Sequence, residues 1–116
     1  LLNIPVPFFT ELGLERILYK HDLQDLKEYY NHVLGELHKK DDPEGSLVNI
    51  LENFADNQFD VGKTAKALFL HPNTLRYRLS KIESILGKSL LDNNTRLDIV
   101  AALKIKRLHK IDQESV

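Results

Sequence analysis

Apolar residues recur three and four positions apart over most of the 116-residue chain, and no stretch alternates convincingly with period two. This pattern predicts an all-α fold, a small bundle of about six helices with no strands. The first nine residues contain Pro5 and Pro7, show no helical period and read as an extended lead-in. Thr10 can cap a short helix whose Leu14, Ile17 and Leu18 share a face. Asp22 starts a longer one carrying Leu23, Leu26, Tyr30, Val33, Leu34 and Leu37, with Asp25 where a capping-box acid would stand and His38-Lys39-Lys40 near the end. After the break Asp41-Asp42-Pro43-Glu44-Gly45, Ser46 is the expected cap of a helix bearing Leu47, Ile50, Leu51 and Phe54.

Asp60 is the N-cap candidate of a short helix with Val61, Ala65 and Leu68 on one side, expected over about 60–69. Pro72 cannot sit inside a helix but suits its first position, so a new helix is expected over about 72–86 with Leu75, Leu79, Ile82 and Leu86 buried. Gly87 is placed to end it in a left-handed conformation. Thr95 with Asp98 resembles a capping box opening a last helix, with Leu97, Val100, Ala101, Ile105 and Leu108 on one side.

A short helix, a tight turn and a second amphipathic helix form the helix-turn-helix pattern, in which the second helix enters the DNA major groove. Two packed helices occur in any bundle, so the exposed face must decide. At about 100° per residue, Leu75, Leu79, Ile82 and Leu86 fall within an arc of about 60°. The opposite side then displays Asn73, Thr74, Tyr77, Ser80, Lys81 and Ser84, with Arg76 and Arg78 on the flanks. No acid occurs from Val61 through Ile82, while Lys63, Lys66, Arg76, Arg78 and Lys81 are cationic. Solvated helices usually mix acids with bases. An acid-free face rich in Asn, Thr, Arg and Lys supplies the donors that base edges and phosphates require.

Total charge changes this picture little, since the net is −1, but its distribution does. Residues 1–59 carry 5 Lys and Arg against 11 Asp and Glu, and residues 60–116 carry 11 against 6, giving −6 and +5. That asymmetry points to a basic interaction surface in the second half. With no Cys there is neither a disulfide framework nor a thiolate metal site, and no apolar run approaches the roughly 18 residues of a membrane span. A cytoplasmic, membrane-free protein is expected. There is no Met and the chain opens on Leu1-Leu2-Asn3-Ile4-Pro5-Val6-Pro7, so a segment of a longer protein is expected too.

The run Thr64-Ala65-Lys66-Ala67-Leu68-Phe69-Leu70-His71-Pro72-Asn73-Thr74-Leu75-Arg76-Tyr77-Arg78-Leu79-Ser80-Lys81-Ile82-Glu83, then Leu86-Gly87, resembles the C-terminal helix-turn-helix of the PucR/CdaR regulators. These are purine-catabolism and carbohydrate-diacid (sugar diacid) regulators, and their motif is similar to that of the nucleoid protein Fis. Arg96-Leu97-Asp98 with Ala101-Ala102-Leu103 extends the match, which covers about residues 44–108. The resemblance implies a sequence-specific DNA-binding output domain of a bacterial transcriptional regulator acting as a homodimer. It further implies Asn73, Thr74, Arg76, Tyr77 and Arg78 as the DNA-facing set, and a small-molecule inducer received only by an N-terminal sensor region. The chain then divides into 1–43, the lead-in and N-terminal helices joining that sensor; 44–111, the DNA-binding domain; and 112–116, a tail.

Two other functions compete: a helical dimerisation or protein-interaction domain, and nonspecific architectural DNA binding of the Fis kind. Several residues also have two readings. Lys63 and Lys66 are phosphate contacts or solvated lysines, Lys81 belongs with Thr74 and Arg78 on a phosphate-lining flank, and His71 touches a phosphate or caps the recognition helix. Phe69 occupies a turn that usually takes a residue tolerant of the left-handed region, so either its backbone is strained or the turn departs from the usual form. Ile99 and Leu103 lie off the Leu97 stripe and are either an exposed pairing surface or packed on the helices of residues 11–38. Glu28, His32 and Glu36 read as a surface ladder rather than a zinc site, no cofactor is implied, and Ser84 has no evident base, so no catalytic residue is assigned.

Overall fold

The computed structural model describes Leu18 and residues 22–109. Five helices follow in chain order: α1 Leu23–Lys40, α2 Ser46–Asp56, α3 Val61–Leu68, α4 Pro72–Leu86 and α5 Asn93–His109. The regular structure among these residues is all helical, as the hydrophobic period predicts. The helix expected after Thr10 lies outside the described residues except for Leu18, which is helical and buried. The lead-in and the tail lie outside them as well.

The helix starts show where local chemistry differs from the sequence reading. Asp22 is the extended N-cap of α1, but its side chain makes no capping bond, so the capping box with Asp25 does not form. At α2 the cap position belongs to Gly45, held in the left-handed region at φ 70°, and Ser46 is already the first helical residue. Two upstream carboxylates cap this helix instead. Asp42 accepts the Ser46 N–H at 2.9 Å and its hydroxyl, while Asp41 accepts the N–H groups of Leu47 at 2.8 Å and Val48 at 2.9 Å. These are the orphan donors of a first turn, satisfied by negative charge at the positive end of the helix dipole. The hydroxyl and amide of Ser46 hold the Asp42 carboxyl below its usual range.

At α5 the capping register is three residues earlier than Thr95–Asp98 suggests. Asp92 accepts both the N–H and the hydroxyl of Thr95 at 2.9 Å, and these bonds lower its carboxyl. Asp98 is thereby left for a different task, accepting the Tyr29 hydroxyl from α1 at 2.8 Å. Burial, with the Asp98 carboxylate second, pushes the Tyr29 hydroxyl well above its ordinary range and keeps it a donor.

Helices α2, α3 and α4 pack on one another, and α1 packs chiefly along α5 and also against α4. The core takes Leu26, Tyr30, Leu34 and Leu37 from α1, Ile50, Leu51 and Phe54 from α2, and Leu75, Leu79 and Ile82 from α4. In α5 the adjacent residues Ala101, Ala102 and Leu103 are all buried, so this helix is covered on more than one side. Ile99 and Leu103, with only 1% and 2% of their surface exposed, are part of that core and offer no pairing surface. Away from it, Glu52 and Asp56 of α2 hold Lys106 at 3.2 Å from Glu52 and Arg107 at 3.1 Å and 2.8 Å from the two acids.

Candidate nucleic-acid interface

Each helix of the α3–turn–α4 unit is fixed by local bonds. The Asp60 carboxylate accepts the Lys63 N–H at 2.8 Å, and the buried Thr64 hydroxyl donates back to the Asp60 carbonyl at 2.7 Å. Helix α3 ends with the Leu70 N–H bonded to the Ala65 carbonyl at 2.9 Å and the Phe69 N–H to the Lys66 carbonyl at 3.2 Å. That is the Schellman pattern, in which glycine is the usual residue at the left-handed position. Phe69 holds it at φ 56°, ψ 40°, with its side chain 95% exposed. The turn therefore keeps its usual form and the strain resides in one non-glycine backbone.

Helix α4 starts at Pro72 with His71 extended before it. The His71 Nδ1 accepts the Asn73 N–H at 3.0 Å, so the imidazole caps the helix and its proton sits on Nε2. At the far end Gly87, at φ 69°, returns its N–H to the Glu83 carbonyl at 2.8 Å. Leu75, Leu79 and Ile82 are buried, and Leu86 is half-buried.

The residues singled out in the sequence divide accordingly. Asn73, Thr74, Arg76 and Lys81 are exposed on α4, Tyr77 is 70% exposed, and Arg78 is half-buried on the flank. Lys63 and Lys66 are exposed on α3 and border an open hollow with Gly62, Phe69, Leu70 and Pro72. Only one pair among the α4 side chains is joined: the Arg76 Nη1 donates to the Asn73 Oδ1 at 3.0 Å. The first acid of α4, Glu83, turns to the loop that follows and accepts the Leu90 N–H at 2.7 Å. The face from Val61 to Ile82 thus carries positive charge with no acid of its own.

Sequence reasoning treated Phe69 only as a backbone problem, and its bare aromatic ring became visible only from the fold. Arg96 entered only as part of a motif. Its guanidinium lies 4.9 Å from the centre of the Phe59 ring and its Nε donates to the Leu90 carbonyl at 2.6 Å, which ties the loop after α4 to the turn between α2 and α3. No signal in the sequence joins those three residues. On α1, Glu28 and His32 are exposed and Glu36 pairs with Lys39 at 3.4 Å and Lys40 at 3.9 Å. Among the described residues no group of three His, Asp or Glu could hold a metal ion, and no helix is long and apolar enough to cross a membrane.

The PucR C-terminal helix-turn-helix domain matches residues 47–105. The purine catabolism regulatory protein of Bacillus subtilis (strain 168) is 40% identical over 86 residues, which is 74% of this chain and 16% of that protein. From the same organism, the DNA-binding transcriptional activator AdeR is 30% identical over 102 residues, 86% of this chain and 24% of that protein. The proline-responsive transcriptional activator PutR is 31% identical over 107 residues, 90% and 26%. The chain therefore spans between 16% and 26% of the length of these relatives. No solved structure matches it.

Proposed function

Because this chain belongs to the PucR C-terminal helix-turn-helix domain family, we propose that it is a DNA-binding output domain of a transcriptional regulator that reads specific sequences with α4 in the major groove. The carrying observation is the exposed, acid-free surface of α3, the turn and α4, on which the cations and the amide and hydroxyl donors are gathered. In this arrangement Asn73 and Tyr77 reach base edges, near the start of the helix and away from its buried stripe, and Arg76 reaches round to them from the flank. Thr74, Arg78 and Lys81 lie along phosphates, joined by Lys63 and Lys66 from α3. His71, exposed before α4, holds the start of that helix in place through its bond from the Asn73 N–H.

Operator reading by this motif pairs two domains across a two-fold axis, so a homodimer in the cytoplasm is part of the proposal, with its pairing surface elsewhere than Ile99 and Leu103. A small-molecule inducer is assigned to a sensor region outside this chain. The relatives are named for purine catabolism and for a proline response, so family membership alone selects no inducer, sugar diacid or other.

The test is a titration of duplex DNA against salt. With about 4 to 6 phosphates neutralised per domain, the log-log slope is expected near −4 to −5. Arg78→Ala should weaken all duplexes and shrink the slope by about one, whereas Asn73→Ala should lose about 1 to 3 kcal/mol mainly on the preferred site. A flat salt response removes the electrostatic basis of the reading. Equal loss on every duplex from both substitutions shows that α4 positions but does not read.

A further inference from the structure

Resting on that reading, we propose that the hollow between α3 and the start of α4 seats one sugar-phosphate strand of the DNA, with the Phe69 ring packed on a deoxyribose and Lys63 and Lys66 on the phosphates either side of it. Two features of Phe69 point to a contact outside the domain. Its backbone is held at φ 56°, ψ 40°, where glycine is the usual occupant, and at 95% exposure it is the barest of the large apolar side chains described. Strain and an uncovered aromatic both raise the free energy of the isolated domain, and a ring so exposed offsets little of either through its own packing. The same backbone makes the ring ready to dock. The bonds from the Phe69 and Leu70 N–H groups to the Lys66 and Ala65 carbonyls fix the turn, so little backbone freedom is left to lose on binding.

The lining of the hollow describes its occupant. Phe69, Ala65, Leu70 and Pro72 supply apolar surface, and Lys63 and Lys66 supply two cations one helical turn apart. Among the described residues no ion pair takes up either lysine, and the Asp60 carboxylate at the start of α3 holds the Lys63 N–H. A nucleic-acid strand has the matching alternation, anionic phosphates separated by sugars that offer an apolar carbon face. Continuity favours it over an acidic protein surface. The hollow includes Pro72, the first residue of α4, beside Asn73, and the sequence runs without an acid from Val61 to Ile82. A strand whose phosphates meet Lys63 and Lys66 crosses the hollow that both border, and the atoms between those phosphates belong to a sugar. Every nucleotide carries that sugar, so the Phe69 contact positions the domain and adds no base preference. It displaces no counterion, so it changes affinity and leaves the salt slope alone.

The experiment titrates the 116-residue chain, Phe69→Ala, Phe69→Leu and Lys66→Ala with a preferred and a scrambled duplex over a range of salt, after urea unfolding has shown each variant folded. Phe69→Ala should weaken both duplexes by about tenfold, the effect of uncovering roughly 55 Å² of ring at ~25 cal/mol per Å², with the log-log slope unchanged. Phe69→Leu should recover part of that loss, and Lys66→Ala should shrink the slope by about one. A photo-crosslinking variant, Phe69→p-benzoylphenylalanine, separates contact from a structural effect, because it should capture the bound duplex on irradiation. Phe69→Ala binding as tightly as the unmodified chain, or a loss of affinity with no crosslink to bound DNA from position 69, overturns the proposal and leaves the DNA reading intact. Failure of the unmodified chain to bind any duplex overturns both.

Discussion

Replacing Phe69 with Gly should make the domain more stable, although it deletes an entire aromatic side chain. An L-residue held in the left-handed helical region costs about 1–2 kcal/mol, a penalty that glycine does not incur. Against this stand two losses. With 95% of its surface exposed, Phe69 buries only about 10 Å² of the roughly 200 Å² such a side chain can bury, worth about 0.3 kcal/mol at ~25 cal/mol per Å². Glycine also widens the unfolded ensemble, at about 0.4–1 kcal/mol. The balance is a gain of about 0.5 kcal/mol. Urea unfolding of the 116-residue chain, followed by far-ultraviolet circular dichroism, should show the midpoint rising by about 0.3–0.5 M with the slope unchanged, given slopes near 1–2 kcal/mol/M. Phe69→Ala keeps the Cβ and with it the strain, so it should show no such gain. Destabilisation of Phe69→Gly by more than about 1 kcal/mol would refute the reasoning, because it would mean the ring makes contacts that its exposure excludes.

Ile99→Ala should cost about 2–4 kcal/mol of stability, independent of protein concentration, as a core truncation does. A negligible loss accompanied by concentration-dependent unfolding would instead return that residue to an interface. The carboxyls of Asp42 and Asp92 are held below their ordinary value of 3.8, so the unfolded chain takes up protons first on acidification. Their stabilisation is complete above about pH 4 and is lost as pH falls through the lower folded values, and thermal midpoints measured from about pH 5 to 2.5 should drop less steeply for Asp92→Asn; an identical slope would contradict the cap assignment. Arg107→Ala breaks a partly exposed bridge to Glu52 and Asp56, which should cost no more than about 1 kcal/mol and leave the salt slope of DNA binding unchanged; a shallower slope would place Arg107 at the DNA.

The features legible in the sequence are those decided within a few residues of themselves. Asp60, Pro72 and Gly87 act on their own helix ends through capping, a fixed φ and a free φ, and the structure uses all three there. The misreadings arose where the deciding partner sat at another distance. Ser46 has the composition of a cap, but Asp41 and Asp42 reach forward from the loop and take the first-turn donors, including the Val48 N–H that a Ser46 cap would have served. Thr95 and Asp98 have the spacing of a capping box, yet Asp92 stands three residues before Thr95 and α1 supplies a hydroxyl for Asp98. Leu97 and its partners show one apolar stripe of α5, and only the chain fold, with α1 packed along α5, buries Ile99 and Leu103 as well. In the candidate site, exposure of Asn73, Thr74, Arg76 and Tyr77 followed from helical geometry alone, whereas the bond between Asn73 and Arg76 depends on side-chain rotamers that periodicity does not specify.

The covering of α5 by α1 bears on how the protein is cut for the bench. The family match begins at residue 47, which invites expression of a shorter piece that starts there. Such a piece lacks Leu26, Tyr30, Leu34 and Leu37, the apolar residues with which α1 closes the core. The surface they cover would then face solvent as one contiguous greasy patch, and patches of that kind find each other. Two trimmed molecules meeting through it would sediment as a pair and would even look symmetric. That pair would be an artefact of the scissors, so stoichiometry measured on trimmed material reports the missing lid rather than the assembly state of the 116-residue chain.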